Sequence, residues 1–410
     1  MAELSPSRER GLLWLLALTQ FTIAMDFMVM MPLGPQIMHA FAISPAAFAT
    51  AVSAYSWCSG LSGLFAATYI DRFDRRRLLL VIYGLFTASN LVCALAGNFH
   101  MLLLARAFAG LSGGVLASII MAIVSDIIPV SRRGAATGTI MTAFSLAAIA
   151  GVPAGILLGA HLGWSSPFYL LVALSVLIWL AALVLVPSLR LHLQLAPPPL
   201  SHVLPELWRL LSNPLHLRAF GLTFLMLVSH MMVIPFISPV LVVNHGIAPQ
   251  QIVWIYMPGG AATFFTSRRI GRLADRYGKH QLFRIMAVFS MLPVLFVTHL
   301  PDLPFAAIVA FFPIFMVALS GRMVPMQALL TTVPQAQNRG AFLSVNSAIQ
   351  SLGNGCGAWL GGLLLSSGSG GQIAGYGANG WCAVALVSVA LWWVGRVQGQ
   401  PPVALATATS

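Results

Sequence analysis

The sequence predicts an all-α membrane protein of twelve transmembrane helices in two six-helix bundles, with both termini cytoplasmic. Three observations carry that prediction. Hydrophobic residues fill 59% of the 410 positions and charged residues 7%, which leaves too little polar surface to cover a water-facing globule. Apolar runs long enough to cross a hydrocarbon core of about 30 Å recur along the chain with short polar breaks between them. Finally, Gly271-Arg272-Leu273-Ala274-Asp275-Arg276-Tyr277-Gly278-Lys279 has a degraded copy, Ala67-Thr68-Tyr69-Ile70-Asp71-Arg72-Phe73-Asp74-Arg75, lying 204 residues earlier, and each copy sits between two apolar runs.

The twelve runs are expected near 12–35, 46–69, 78–97, 101–125, 138–160, 165–187, 219–243, 250–267, 282–299, 304–328, 341–364 and 380–397. Each must be a helix, because a lipid-exposed segment has to satisfy its own backbone hydrogen bonds and none shows the alternation of a barrel strand. Met1 to Arg10 reads as a short polar leader, and the run after it has full spanning length, so it is expected to insert and stay. Residues 1–187 form the first bundle. Residues 188–218, with Pro197-Pro198-Pro199, Pro205 and Pro214, read as a cytoplasmic linker whose Leu204 to Leu211 pattern suits the membrane surface. Residues 219–397 form the second bundle. Ser366 to Gly380 reads as a flexible periplasmic loop, and 398–410 as a disordered tail.

Charge sets the orientation. Arg8, Arg10, Arg72, Arg75, Arg76, Arg77, Arg132 and Arg133 in the first half, and Arg268, Arg269, Arg272, Arg276, Lys279, Arg284, Arg339 and Arg396 in the second, all fall on one side. The alternate loops, near 36–45, 97–101, 160–167, 244–250, 299–304 and 365–379, contain no Lys or Arg. By the positive-inside rule the basic side is cytoplasmic, and the net charge of +12 is explained without nucleic acid. Cys58, Cys93, Cys356 and Cys382 fall within predicted helices, where they read as small packing residues.

The loop motif resembles that of the major facilitator superfamily, and the resemblance covers the chain apart from its ends. Gly271 to Lys279 follows the superfamily's Gly-x-Leu-Ala-Asp-Arg-x-Gly-Arg/Lys pattern; the first copy departs from it with Ala67 and Asp74 at the glycine positions. Arg106 with Gly110, Asp126 with Arg132-Arg133-Gly134, and the echo Asn338-Arg339-Gly340 are further matches. The resemblance implies a transporter that works by alternating access. It also implies a cytoplasmic latch made by Asp71, Arg72, Arg75, Asp126, Gly271, Asp275, Arg276, Gly278 and Lys279, although each arginine also fits a plain topology role. In the fifth run, Gly151, Pro153, Gly155 and Gly159 resemble a motif of the superfamily's drug, sugar and nucleoside exporters. They equally suit a packing kink.

A charged residue at the centre of a membrane helix costs roughly 2.5 kcal/mol or more, so those present mark function. Three stand out: Asp26 in the first helix, Arg106 in the fourth and Arg322 in the tenth. Asp26 is the only deep carboxylate. It is the residue expected to load a proton on one side and release it on the other, unless it is the permanently charged partner of an arginine. Arg322 is either that partner or a holder of an anionic substrate. Tyr55, Asn90, His230, Gln327, Asn346 and Gln350 are further cavity candidates, as are Gln36 and Asn354. Asn346, Gln350 and Asn354 share one helix face, fitting a cavity lining or a hydrogen-bonded seam, and His230 among methionines reads as a core residue rather than a metal ligand.

No nucleophile–base pairing, metal cluster or phosphate loop points to an enzyme. The expected activity is proton-coupled export of a small, largely apolar compound across the inner membrane; the alternative is proton-coupled import of a nutrient or siderophore-like anion. The expected partners are that small molecule, protons and membrane lipid. Nucleic acid, metal and cofactor are not expected, and the chain is expected to act as a monomer. In a protein cleared of its four native cysteines, a cysteine at Ser369 is expected to react with a membrane-impermeant maleimide from the periplasm, and one at Gln335 only after the cytoplasmic face is opened; the reverse pattern inverts the orientation.

Overall fold

The computed structural model describes residues 6–129, 132–189, 205, 208–335, 339–368 and 371–397, with side chains at all of these except 6, 67 and 68. The Pro197 to Pro199 run, most of the Leu204 to Leu211 pattern, Asn338, Ser369 and the 398–410 tail lie outside them. In the first half the chain forms α1 (Pro6–Val29), α2 (Gly34–Phe41), α3 (Pro45–Tyr69), α4 (Arg75–Ala94), α5 (Phe99–Ile127), α6 (Arg133–Leu146), α7 (Val152–Leu162) and α8 (Ser166–Leu185). The second half holds α9 (Pro214–Met231), α10 (Ile237–His245), α11 (Ile252–Tyr277), α12 (Lys279–Thr298), α13 (Phe305–Leu330), α14 (Arg339–Leu363) and α15 (Tyr376–Val394). Between the last two, Ser366–Ser367 and Ile373–Ala374 pair as a short antiparallel hairpin, so the glycine-serine loop is partly ordered.

Among the described residues nine helices are long and apolar enough to cross a membrane, or ten if the bent pair of α2 and α3 counts as one span. The remaining two expected spans, over 250–267 and 341–364, exist as α11 and α14, helices of 26 and 25 residues. Their sequences explain why they fail a hydropathy test. The charged residues of α11 cluster at its last turns, and α14 carries Asn, Gln, Ser and six glycines.

Local signals set the helix ends. Ser44 Oγ accepts the Ala47 N–H at 3.2 Å and Pro45 follows at the first position of α3. Asn98 caps α5 through Met101 N–H at 2.9 Å, and Asn213 caps α9 through Leu215 N–H at 2.9 Å. The fifth span contains a π-helical turn, Ala147–Gly151, directly before Pro153. A wide turn there relieves the missing N–H and the ring clash that proline brings into a helix.

Small residues decide which helices touch. A Cβ on Gly110 of α5 would strike the Tyr55 carbonyl of α3, and one on Gly114 would strike the Ser59 carbonyl four residues on. The two backbones are therefore in contact, as close helix packing in lipid requires. Across the halves, α3 packs along α14: Gly60 meets Ala348 and Ser351, Gly355 meets Trp57, and Gly362 meets Ala46 and Ala49. At the end with arginine-free loops, one apolar cluster joins Met30, Leu33, Ile37 and Phe48 to Val233, Phe236, Ile237 and Val240 of the second half. The Ser238 hydroxyl donates to the Pro32 carbonyl at 2.9 Å in the same region. At the opposite end each half has its own cluster, around Leu79, Ile119 and Ile123 in the first and Phe220, Phe283 and Phe342 in the second. The halves share one cluster at one end and have distinct clusters at the other, where Leu64 of α3 packs against the second half's. Gly110→Val overpacks the α3–α5 contact and is expected to lower stability by about 1–3 kcal/mol, read as a drop in the unfolding temperature of the purified protein, whereas Gly134→Val, which meets open space, leaves it unchanged.

Candidate functional site

The first-half helices bring the membrane-embedded charges together. Asp26 is 0% and Arg106 is 1% exposed, and Arg106 Nη1 donates to Asp26 Oδ1 at 2.5 Å while Nη2 reaches the Asp26 carbonyl at 3.5 Å. The guanidinium carbon lies 4.3 Å from the centroid of the Tyr55 ring, which stacks in turn on Phe27. Tyr55 reaches that place because α3 and α5 touch at Gly110. Asn90 and Cys93 of α4 stand beside the pair, with Asn90 Nδ2 committed to the Phe86 carbonyl at 3.1 Å. Three buried atoms in this cluster, Asp26 Oδ2, Tyr55 Oη and Arg106 Nε, have no hydrogen-bond partner among the described residues. The contact that the sequence left open between Asp26 and Arg322 is not made.

Helix α1 is held in register by the glycine-proline segment. Positions Gly151, Gly155 and Gly159 face Met25 and Val29 of α1 and Leu33 in the turn that follows it, a four-residue step on both sides of the contact. A Cβ on Gly155 would overlap Val29 of α1, and one on Gly159 would overlap Leu33 just beyond it. Gly151, Gly155 and Gly159 therefore form a packing surface, with Pro153 buried in the same span, and Met25 at the contact adjoins Asp26.

In the second half, Arg322 of α13 is 1% exposed. Its Nη1 donates to Ser290 Oγ at 3.1 Å and its Nη2 to Ser229 Oγ at 3.5 Å. His230 is half-buried with its Nδ1 unpartnered. Asn346 is buried and accepts the Thr223 hydroxyl at 2.8 Å, which makes its turn of α14 a seam to α9. Gln327 and Gln350 are half-buried.

The two loop copies differ. In the first, Arg75 is nearly buried and binds Asp71, Asp126 Oδ2 at 3.0 Å and the Ile70 carbonyl at 2.7 Å, joining the ends of α3, α4 and α5. Arg72 is exposed. Asp74, which replaces a motif glycine, caps α4 through Arg76 N–H at 3.0 Å and accepts the Ser188 hydroxyl at 2.9 Å. In the second copy Gly278 occupies that position at φ +90°, a conformation L side chains rarely adopt, and ends α11. The same position in the first copy has φ −57°, so the two loops follow different paths. Asp275 and Arg276 are exposed, with Arg276 over the Tyr277 ring, Lys279 opens α12, and Gly271 is half-buried on α11.

Several contributors carry no sequence signal. Serines in membrane helices commonly satisfy themselves on the preceding turn, so nothing marks Ser229 and Ser290 as arginine partners. Glu9 in the leader pairs with Arg132 at 2.9 Å, a contact across 123 residues.

The family model described as Major Facilitator Superfamily matches residues 16–331 and again 219–408. The chain is 26% identical over 359 residues, 87% of each sequence, to the uncharacterized MFS-type transporter YfhI of Bacillus subtilis (strain 168). It is 25% identical over 358 residues, again 87% of each, to a probable sugar efflux transporter of Helicobacter acinonychis (strain Sheeba). Among solved structures it resembles a bacterial homolog of the human lysosomal transporter Spinster, inward-facing and occupied, with TM-score 0.75, 18% identity and 96% and 95% of the two chains covered. That likeness concerns the fold.

Arg75 organises the arginine-bearing end of the first half, so Arg75→Ala, which removes the donor to the Ile70 carbonyl and the cation paired with Asp71 and Asp126, is expected to cost about 1–3 kcal/mol. Arg72→Ala, at an exposed neighbour, is expected to leave the unfolding temperature unchanged.

Proposed function

Because the chain belongs to the Major Facilitator Superfamily, we propose that it is a proton-coupled secondary transporter of the inner membrane that exports a small, largely apolar compound in exchange for protons. It is a transporter and not an enzyme. One observation carries the coupling: the single deep carboxylate is clasped to Arg106 through Oδ1, and its buried Oδ2 has no hydrogen-bond partner among the described residues. A proton added at Oδ2 neutralises Asp26 and dissolves the ion pair. Arg106 then keeps the face of Tyr55, and α1 is no longer tied to α5 by charge. Loss of the proton restores the clasp. Loading from one side and releasing to the other couples that exchange to movement of the halves about the shared apolar cluster.

The relatives named as sugar efflux transporters support the outward direction and make sugars a cargo class to test. Import of an anion is the second reading, favoured by the absence of a described carboxylate beside Arg322. Under the first reading, Asp71, Arg75 and Asp126 form a latch at the cytoplasmic end of the first half, and Asp275 completes it only when that end closes. Tyr55, Asn90, His230, Gln327, Asn346 and Gln350 are proposed to face the cargo path or to support those that do.

In proteoliposomes with an imposed pH gradient, Asp26→Asn is expected to abolish uphill transport and leave equilibrium exchange intact, since the amide mimics the protonated carboxyl but cannot lose a proton. Removing one partner of a buried ion pair costs about 3–5 kcal/mol. Asp26→Asn and Arg106→Gln alone are therefore each expected to lower stability, the first more because the stranded guanidinium cannot lose its charge, and Asp26→Asn with Arg106→Gln to regain stability without regaining coupling. Full gradient-driven transport by Asp26→Asn removes Asp26 as the proton carrier.

A further inference from the structure

The two halves treat their buried arginines differently. Arg106 has Asp26, whereas the described acids, Glu9, Asp26, Asp71, Asp74, Asp126, Asp275 and Asp302, leave Arg322 without a counter-charge. Among the described residues its only hydrogen-bond partners are two hydroxyl oxygens, and both hydroxyls already spend their hydrogen elsewhere: Ser229 on the Ala383 carbonyl at 3.0 Å and Ser290 on the Ala287 carbonyl at 2.7 Å. The longer contact, at 3.5 Å, is at the limit of a hydrogen bond. Nε–H has no acceptor among the described residues. A guanidinium does not give up its proton in a protein, so the positive charge stays. A fixed cation away from water, offering free N–H donors and meeting only neutral oxygens, lacks an anion. His230, the residue after Ser229, lies within electrostatic reach of the same charge and leaves Nδ1 unpartnered beside it.

We propose that Arg322, with Ser229 and Ser290, is a binding site for one compact monovalent anion, and that the cargo is a largely apolar molecule bearing a single carboxylate. The guanidinium fork matches a carboxylate bidentately, and the two serines keep its plane fixed between α9, α12 and α13. A halide fits the same donors, so the shared chemistry is a single negative charge within reach of Nε and Nη. The cargo half of the proposal rests on the transporter reading; occupancy of the site does not.

The test uses the purified full-length protein in detergent, in a sodium HEPES buffer of constant ionic strength, and follows the unfolding temperature on titration with sodium chloride, sodium benzoate or neutral benzamide. The unfolding temperature is expected to rise with benzoate and not with benzamide. A rise with chloride as well identifies a general anion site, and a rise with benzoate alone identifies a carboxylate site. Arg322→Gln is expected to abolish the response while being no less stable than the parent in the absence of anion, because it removes an uncompensated charge. Ser229→Ala with Ser290→Ala, which keeps the charge, is expected to weaken the response about tenfold, the size of one lost hydrogen bond to a charged group. Asp26→Asn combined with Arg106→Gln, which removes both charges of the first-half pair and leaves no second uncompensated arginine, is expected to respond like the parent, which separates this site from the proton carrier. No stabilisation by either anion, or an equal response in Arg322→Gln, overturns the proposal.

Discussion

A carboxylate and a guanidinium, closed off from water in the middle of the first half, are the constraint around which the rest is arranged. Each is costly alone in a membrane, and together they tie α1 to α5. The geometry that makes the tie possible comes from residues with no charge. Gly110 and Gly114 let α3 press backbone to backbone on α5, which puts the Tyr55 ring over Arg106. The glycines Gly151, Gly155 and Gly159 seat α1 at Met25 and Val29, and the turn after it at Leu33, and thereby set the height of Asp26. A π-helical turn lets Pro153 sit within the span that carries this surface.

The duplication repeats the architecture but not the chemistry. Where the first half buries an ion pair, the second buries a lone arginine between two serines. Where the first loop copy forms a network through Arg75, the second leaves Asp275 and Arg276 in the open and turns at a left-handed glycine. The halves share an apolar cluster at the arginine-free end and keep separate ones at the other. Such an arrangement suits a pivot at one end and a parting at the other, with the first-half network staying whole on its own side of the gap.

Much of the fold was legible in the sequence because lipid imposes it: length, hydropathy and the one-sided arginines follow from the solvent. The two spans that hydropathy misses, α11 and α14, were legible as well, since their polar residues sit at one end or on one face of an otherwise apolar run. The site was legible only in part. Asp26, Arg106 and Arg322 stand out because charge is rare in such helices, but which arginine takes the carboxylate depends on helix packing that spacing does not encode. Asp74 looked like a defect in a motif, and it is the cap of α4 and the anchor of Ser188. The spacing of Asn346 suits a cavity or a seam equally, and its contact with Thr223 across the helices is what spacing does not encode. Ser229 and Ser290 carry no mark at all, because a serine in a helix gives no sign of what lies across from it.

The central claim is that the Asp26–Arg106 pair opens and closes as a proton comes and goes. Infrared difference spectroscopy on the purified protein, recorded while pH is stepped across the physiological range, observes the protonated carboxyl directly through its carbonyl stretch. The account predicts a carbonyl band that grows as pH falls in the parent protein, is missing in Asp26→Asn, and shifts to a different titration range in Arg106→Gln. A band that is unaltered in Asp26→Asn, or a parent protein with no titrating carboxyl band, would contradict it.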